Sequence, residues 1–147
     1  MPQAWARKCP MPVATNPTMS SISRQDLQQV LQDLGLRARQ VDDVTLESAS
    51  GGMDWTASLD APTDARMVHF SAELRVVDDP GAVVNSLNSR QLFARVYTVP
   101  PCDDAAYWSV IVAMSVAVDE VSTRHLQDRI EHWIAALDHA VDEVFTL

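Results

Sequence analysis

The chain has 147 residues, 47% of them apolar, a net charge of −9 and a single lysine, Lys8. About 130 of the residues look foldable, which suits one domain with one core. Without clustered Lys and Arg, nucleic acid and anionic membrane are poor partners, and no apolar run approaches the ~20 residues that span a bilayer.

Residues 1–18 carry Arg7 and Lys8 but no apolar stretch behind them, and Pro10, Pro12 and Pro17 interrupt them. They read as a flexible extension and not as a secretory signal. The domain is expected over residues 19–147. Its first helix has clear ends. Ser23 is the N-cap, Asp26 sits at the capping-box position, and Ile22 with Leu27 forms a staple. Leu27, Val30, Leu31 and Leu34 make one stripe. Gly35 takes the left-handed position that ends the helix, and Leu36 can fold back on Leu31.

Three strands follow. Val44 and Leu46 alternate with Asp43 and Thr45. Gly51-Gly52 is a hairpin signal, and Met53, Trp55, Ala57 and Leu59 alternate with polar residues beyond it. In the third strand Val68, Phe70, Ala72, Leu74 and Val76 face one way; His69, Ser71, Glu73 and Arg75 face the other. One covered and one polar face marks an antiparallel sheet. Asp79 and Pro80 open a short helix over 80–87, an Asn-bearing turn follows at Asn85 to Asn88, and Leu92 to Val99 is a strand. Tyr107 to Val118 is the last strand. Ser122 then caps a long helix with the stripe Leu126, Ile130, Trp133, Ile134, Leu137, Val141 and Val144. The fold class is α+β, in the order α-β-β-β-α-β-β-α. Five antiparallel strands are expected, with helices packed on one face.

The chemistry-bearing residues are sparse. His125, His132 and His139 recur every seven residues, about 10.5 Å apart along a helix, too far for two to share one ion. The acidic doublets Asp42-Asp43, Asp78-Asp79, Asp103-Asp104 and Asp119-Glu120 fall at element boundaries, where acids cap helices and shape turns. Cys9 and Cys102 form no metal spacing and read as reduced thiols of a cytoplasmic protein. No phosphate loop, hydrolase elbow or zinc motif occurs. No catalytic residue, metal ligand or cofactor is therefore expected. Trp55, Trp108 and Trp133 lie on apolar phases and should pack in the core. Phe93, Arg95 and Tyr97 share the phase opposite Leu92, Ala94 and Val96, and aromatics flanking an arginine are the material of interface hot spots.

The element order, together with VVNSLNSRQLFARVY and the closing VSTRHLQDRIEHWIAALDHAVDE, resembles the YbjN family, a bacterial family named for sensory transduction regulation. The resemblance covers about Ser20 to Val144. It departs at Pro100-Pro101-Cys102-Asp103-Asp104, where the family often has a short polar turn. The family is similar in fold to type III secretion chaperones, and the resemblance implies homodimers, recognition of protein segments and no cofactor. The expected function is a non-enzymatic interaction module, a regulator or chaperone-like adaptor. The alternative is a small-ligand or enzymatic domain with its site between helices and sheet. Two long helices should suffice to cover one sheet face. The short helix is then left to share apolar positions with a second copy. Val83, Val84, Leu87, Phe93, Arg95 and Tyr97 are the expected self-contact, beside an unidentified protein partner.

Overall fold

The computed structural model describes residues 18–90, 94–102, 106–118 and 121–145. Strand β1 (Thr18–Met19) precedes helix α1 (Arg24–Asp33). The expected extension up to residue 17 lies outside the described residues, and Thr18, placed at its end, pairs with Ser122. Helix α1 has both ends its sequence encodes. Ser23 Oγ accepts from the Asp26 amide at 3.1 Å, and the Asp26 carboxylate accepts from the Ser23 amide at 3.4 Å. At the far end Gly35 has φ +79°. The Gly35 and Leu36 amides donate to the Gln32 and Leu31 carbonyls, so the last-turn acceptors are satisfied.

The remaining strands are β2 (Arg39–Gln40), β3 (Thr45–Ser50), β4 (Met53–Leu59), β5 (Met67–Val76), β6 (Arg95–Val99), β7 (Trp108–Ala117) and β8 (Val121–Ser122). Helix α2 (Gly81–Arg90) joins β5 to β6, and α3 (Thr123–Phe145) closes the chain. Six strands form one antiparallel sheet in the order β2-β3-β4-β5-β7-β6, and β1 and β8 make a separate ribbon. The sheet therefore has six strands and not five. The added strand, β2, is two exposed polar residues, with no periodicity to betray it. Gly51 and Gly52, at φ +57° and +79°, turn β3 into β4, the conformation a two-residue hairpin demands. A Cβ at Gly51 would also lie 2.9 Å from the Asp138 carboxylate on α3.

One face of the sheet is covered. Its floor is Leu46, Trp55, Ala57, Phe70, Leu74, Val96, Val110 and Val112, all nearly or fully buried. Trp55, Phe70 and Trp133 form a cluster with ring centroids 5.7–6.0 Å apart. Such pairs contribute about 0.5–1.5 kcal/mol each beyond the area they bury. The α3 stripe is Leu126, Ile130, Trp133, Leu137, Ala140 and Val144. Ile134 and Val141, expected in that stripe, flank it half-buried, because Ala136 and Ala140 lie closer to the sheet. Trp108 keeps the covered-face phase but opens β7 at the sheet's end and is only half-buried.

Helix α2 corrects two expectations. Asn85 to Asn88 is not a turn but the middle of this helix, which runs to Arg90. Its Val84 and Leu87 are 6% and 1% exposed, buried in the chain's own core. The reason is the strand order. Helix α1 packs on β3 and α3 on β5 and β7, which leaves Val96 on the edge strand β6 beyond their reach. A third helix is needed, and α2 lies over β6. Asn88 fixes it there. Its side-chain amide donates to the Val96 carbonyl at 2.6 Å, and its oxygen accepts from the Val96 amide at 3.0 Å. One side chain thus reproduces both hydrogen bonds of a neighbouring strand residue.

Candidate interaction surface

Among the described residues no helix lies over the other face of the sheet. Cross-strand register sorts its residues into rows. One row runs Arg39, Glu47, Thr56, Ser71, Ala113, Arg95. The next toward the β5 C-terminal end holds Glu73, Ile111 and Tyr97, and the one beyond it Arg75, Ser109 and Val99. On the other side lie Thr45, Ser58, His69 and Ser115. Ser71, Ile111, Ala113 and Ser109 are half-buried without a helix above them, because neighbouring side chains crowd the pleat. Tyr97 and Val99 are 46% and 40% exposed, among the few large apolar side chains that face solvent.

The polar groups of this face mostly satisfy one another. Arg39 pairs with Glu47 at 2.7 Å, Arg37 with Asp54 at 3.2 Å, and Arg75 with Glu73 at 3.5 Å. Ser109 Oγ donates to Glu73 at 2.5 Å. The Arg75 guanidinium also lies 4.8 Å over the Tyr107 ring. Among the described residues Arg95 has no ion-pair partner. Arg37, Arg39, Arg75 and Arg95 stand against Asp54, Glu47 and Glu73, so this face is near neutral. Helix α3 on the opposite side carries Asp128, Glu131, Asp138, Asp142 and Glu143 against Arg124 and Arg129.

His69 Nδ1 and Ser115 Oγ are 2.7 Å apart. Base-assisted nucleophilic catalysis needs a third group orienting the base and free donors for an oxyanion. Among the described residues Ser115 is the hydrogen-bond partner of His69, and the neighbouring amides belong to the β5–β7 ladder. The arrangement is a cross-strand polar pair. His125, His132 and His139 are exposed on α3, and among the described residues no group of three His, Cys, Asp or Glu could hold a metal ion. Asp42 and Asp79 each accept from a backbone amide two residues on, at 2.9 Å. That bond from Val44 holds the Asp42 carboxyl below its ordinary value. Asp103-Asp104 and Asp119-Glu120 lie outside the described residues. Among the described residues no helix is long and apolar enough to cross a membrane.

Of the expected self-contact residues, Arg95 and Tyr97 lie exposed on the open face, in the phase read from the sequence. Phe93 lies outside the described residues. Val84 and Leu87 are core, and Val83 is half-buried against it. Sequence reasoning missed Ile111, Ala113 and Ser71 as companions of Tyr97. The alternation in β7 contains that information, but only the register with β6 brings the residues together.

No family model matches the chain, and no curated protein matches it. Solved structures do. YbjN from E. coli, a candidate transcription regulator, superposes with a TM-score of 0.51 at 20% identity, over 78% of this chain and 91% of its own. An uncharacterised protein from Methanothermobacter thermautotrophicus superposes with a TM-score of 0.59 at 12% identity, over 84% of this chain and 96% of its own. The chain has a YbjN-like α+β fold.

Proposed function

We propose that the protein is a non-enzymatic interaction module, a regulator or chaperone-like adaptor of the cytoplasm, that works as a homodimer joined across the open sheet face. The observation that carries this is the face itself. It is near neutral in a chain of net charge −9, has small side chains at its centre in Ser71, Ala113 and Ser109, and carries Tyr97, Val99 and Ile111 together. Its size is also right. Its strand residues, each about 3.4 by 4.8 Å, together offer about 650 Å², within the roughly 600–1,000 Å² each partner contributes to a standard interface.

The face is self-complementary. A two-fold axis along β5 sets Arg95 of each copy over the partner's Glu47, because the two residues share a row and each lies two strands from Ser71. The structural likeness to a candidate transcription regulator supports a regulatory role. Regulation through protein contacts suits this chain better than regulation through DNA, since phosphate binding requires the cationic cluster it lacks. The space between helices and sheet, where a ligand site would sit in this fold, is filled by Trp55, Phe70 and Trp133.

Sedimentation velocity at micromolar concentration tests the reading. The unmodified protein should be a dimer. Ile111→Glu should give a folded monomer. Arg95→Glu should weaken the dimer, and adding Glu47→Arg should restore it. A monomeric unmodified protein, or a dimer indifferent to these changes, would refute it.

A further inference from the structure

A second apolar surface lies where β5 ends, at the margin of the open face, with Arg75 between the two. A groove of about 370 Å³ opens between the end of β5, the segment leading into α2, and the last turn of α3. Val76, Val77, Pro80, Val83, Val144 and Phe145 form its walls. Val77 is 77% exposed and Phe145 51%. Two of the most exposed large apolar side chains among the described residues therefore converge on one concavity. Isolated exposed apolar residues need no explanation, but a grouped and concave set does. The volume is at the low end of ligand sites, about 300–1,000 Å³, and admits one or two large side chains.

The electrostatics of the groove have one sign. Asp78 and Asp79 line it. Asp79 gives one oxygen to the Gly81 amide, and among the described residues Asp78 makes no hydrogen bond or ion pair. The C-terminal end of α3 closes the groove, and no basic residue stands in its last turn. The negative end of that helix dipole has no cation of its own turn to offset it. Glu143 in the same turn is engaged by Arg90, whose guanidinium holds the Glu143 carboxyl below its ordinary value. Arg75 is the cation in the lining, and it is already committed to Glu73 and to the Tyr107 ring.

We infer that this groove docks a short basic segment of a partner protein, with a large apolar or aromatic side chain as its anchor. The anchor fills the space between Val77, Val83 and Phe145. Lysines or arginines beside it meet Asp78, Asp79 and the end of α3. Such pairing sets orientation and rate of encounter and falls with salt. The inference rests on the reading of the protein as an interaction module but not on the sheet-face dimer.

The test uses the full chain and fluorescence anisotropy of a labelled peptide, Lys-Lys-Trp-Leu-Lys-Lys. Two controls replace either the lysines by glutamate or the Trp-Leu pair by Gly-Ser. The basic aromatic peptide should bind saturably and at least tenfold more tightly than either control, and high salt should weaken it. Phe145→Asp and Val77→Asp, both at exposed positions, should each weaken binding at least tenfold, and Asp78→Lys should weaken it less. Ile111→Glu should bind the peptide as the unmodified protein does, which separates this site from the dimer face. No binding at millimolar peptide, equal binding of the controls, or indifference to the groove variants would overturn the inference. Dissociation of the dimer by the peptide would identify a second copy as the occupant and overturn it too. So would tighter peptide binding by the Arg7→Glu, Lys8→Glu variant, which would assign the groove to the chain's own basic segment.

Discussion

Replacing Asn88 probes how one side chain holds a helix to a sheet edge. Asn88→Ala removes two hydrogen bonds, one to each backbone group of Val96. At about 1 kcal/mol net each, the loss is about 2 kcal/mol. Alanine in a helix interior returns about 0.6 kcal/mol relative to asparagine, so the net cost should be about 1.4 kcal/mol. Asn88→Asp is sharper. The carboxylate still accepts from the Val96 amide, but it sets a second anionic oxygen against the Val96 carbonyl, where the amide donated at 2.6 Å. At pH 7 it should therefore cost more than alanine. A protonated carboxyl regains a donor, so the introduced carboxyl should have a raised pKa in the folded variant. Its deficit against the unmodified protein should be full above that pKa and shrink as the pH falls through it. Urea unfolding read by tryptophan fluorescence, at pH 7 and pH 4.5, measures both. An alanine variant as stable as the unmodified protein, or an aspartate deficit that does not shrink in acid, would refute the clasp.

Trp133→Ala should cost about 3–5 kcal/mol in the same assay, as for a large buried aromatic. Trp133→Phe should cost far less, within about 1 kcal/mol, because it also removes a buried indole N–H that has no partner among the described residues. Glu143, held below its ordinary value by Arg90, contributes stability above the usual carboxylate range that is lost as pH falls through its lowered value. Glu143→Gln should be the less stable protein at pH 7, and the gap in urea midpoint should close toward pH 3. A gap that stays constant would show the pair to be energetically silent.

The elements that were legible in the sequence carry their instructions locally. Helix α1 is bounded by Ser23, Asp26 and Gly35, and each acts within one turn of its own position. The alternation of β5 and β7 fixes which face is covered, and Arg95 and Tyr97 follow from the same rule. What was not legible depends on distant neighbours. Strand β2 is too short to show a period. Asn88 is a turn former by composition, and only the facing edge of β6 makes it useful inside a helix. The expected self-contact failed at Val84 and Leu87 for the same reason. The apolar surface of α2 looks surplus until the strand order places β6 at an edge that the other two helices do not reach. Gly51 is half legible. Its hairpin conformation is local, but the approach of Asp138 from α3 is not.

The Asn88 clasp also governs what kind of assembly this chain can enter. Strands added at an edge propagate without end, since each addition presents a fresh edge of its own. On β6 the outward-facing groups of Val96 are already taken by Asn88. The opposite edge strand is only Arg39 and Gln40, both exposed and one charged. Short, charged or plugged edges are how soluble sheets resist such growth. With β6 plugged at its middle and β2 only two residues long, lateral extension is disfavoured on both flanks, and contact through faces or ends is favoured by comparison. A two-fold contact between faces consumes the surface that makes it and halts at two. Loss of the Asn88 amide should therefore cost more than stability. It should also free an unpaired edge on β6, and association through such an edge, unlike a two-fold contact, has no built-in end.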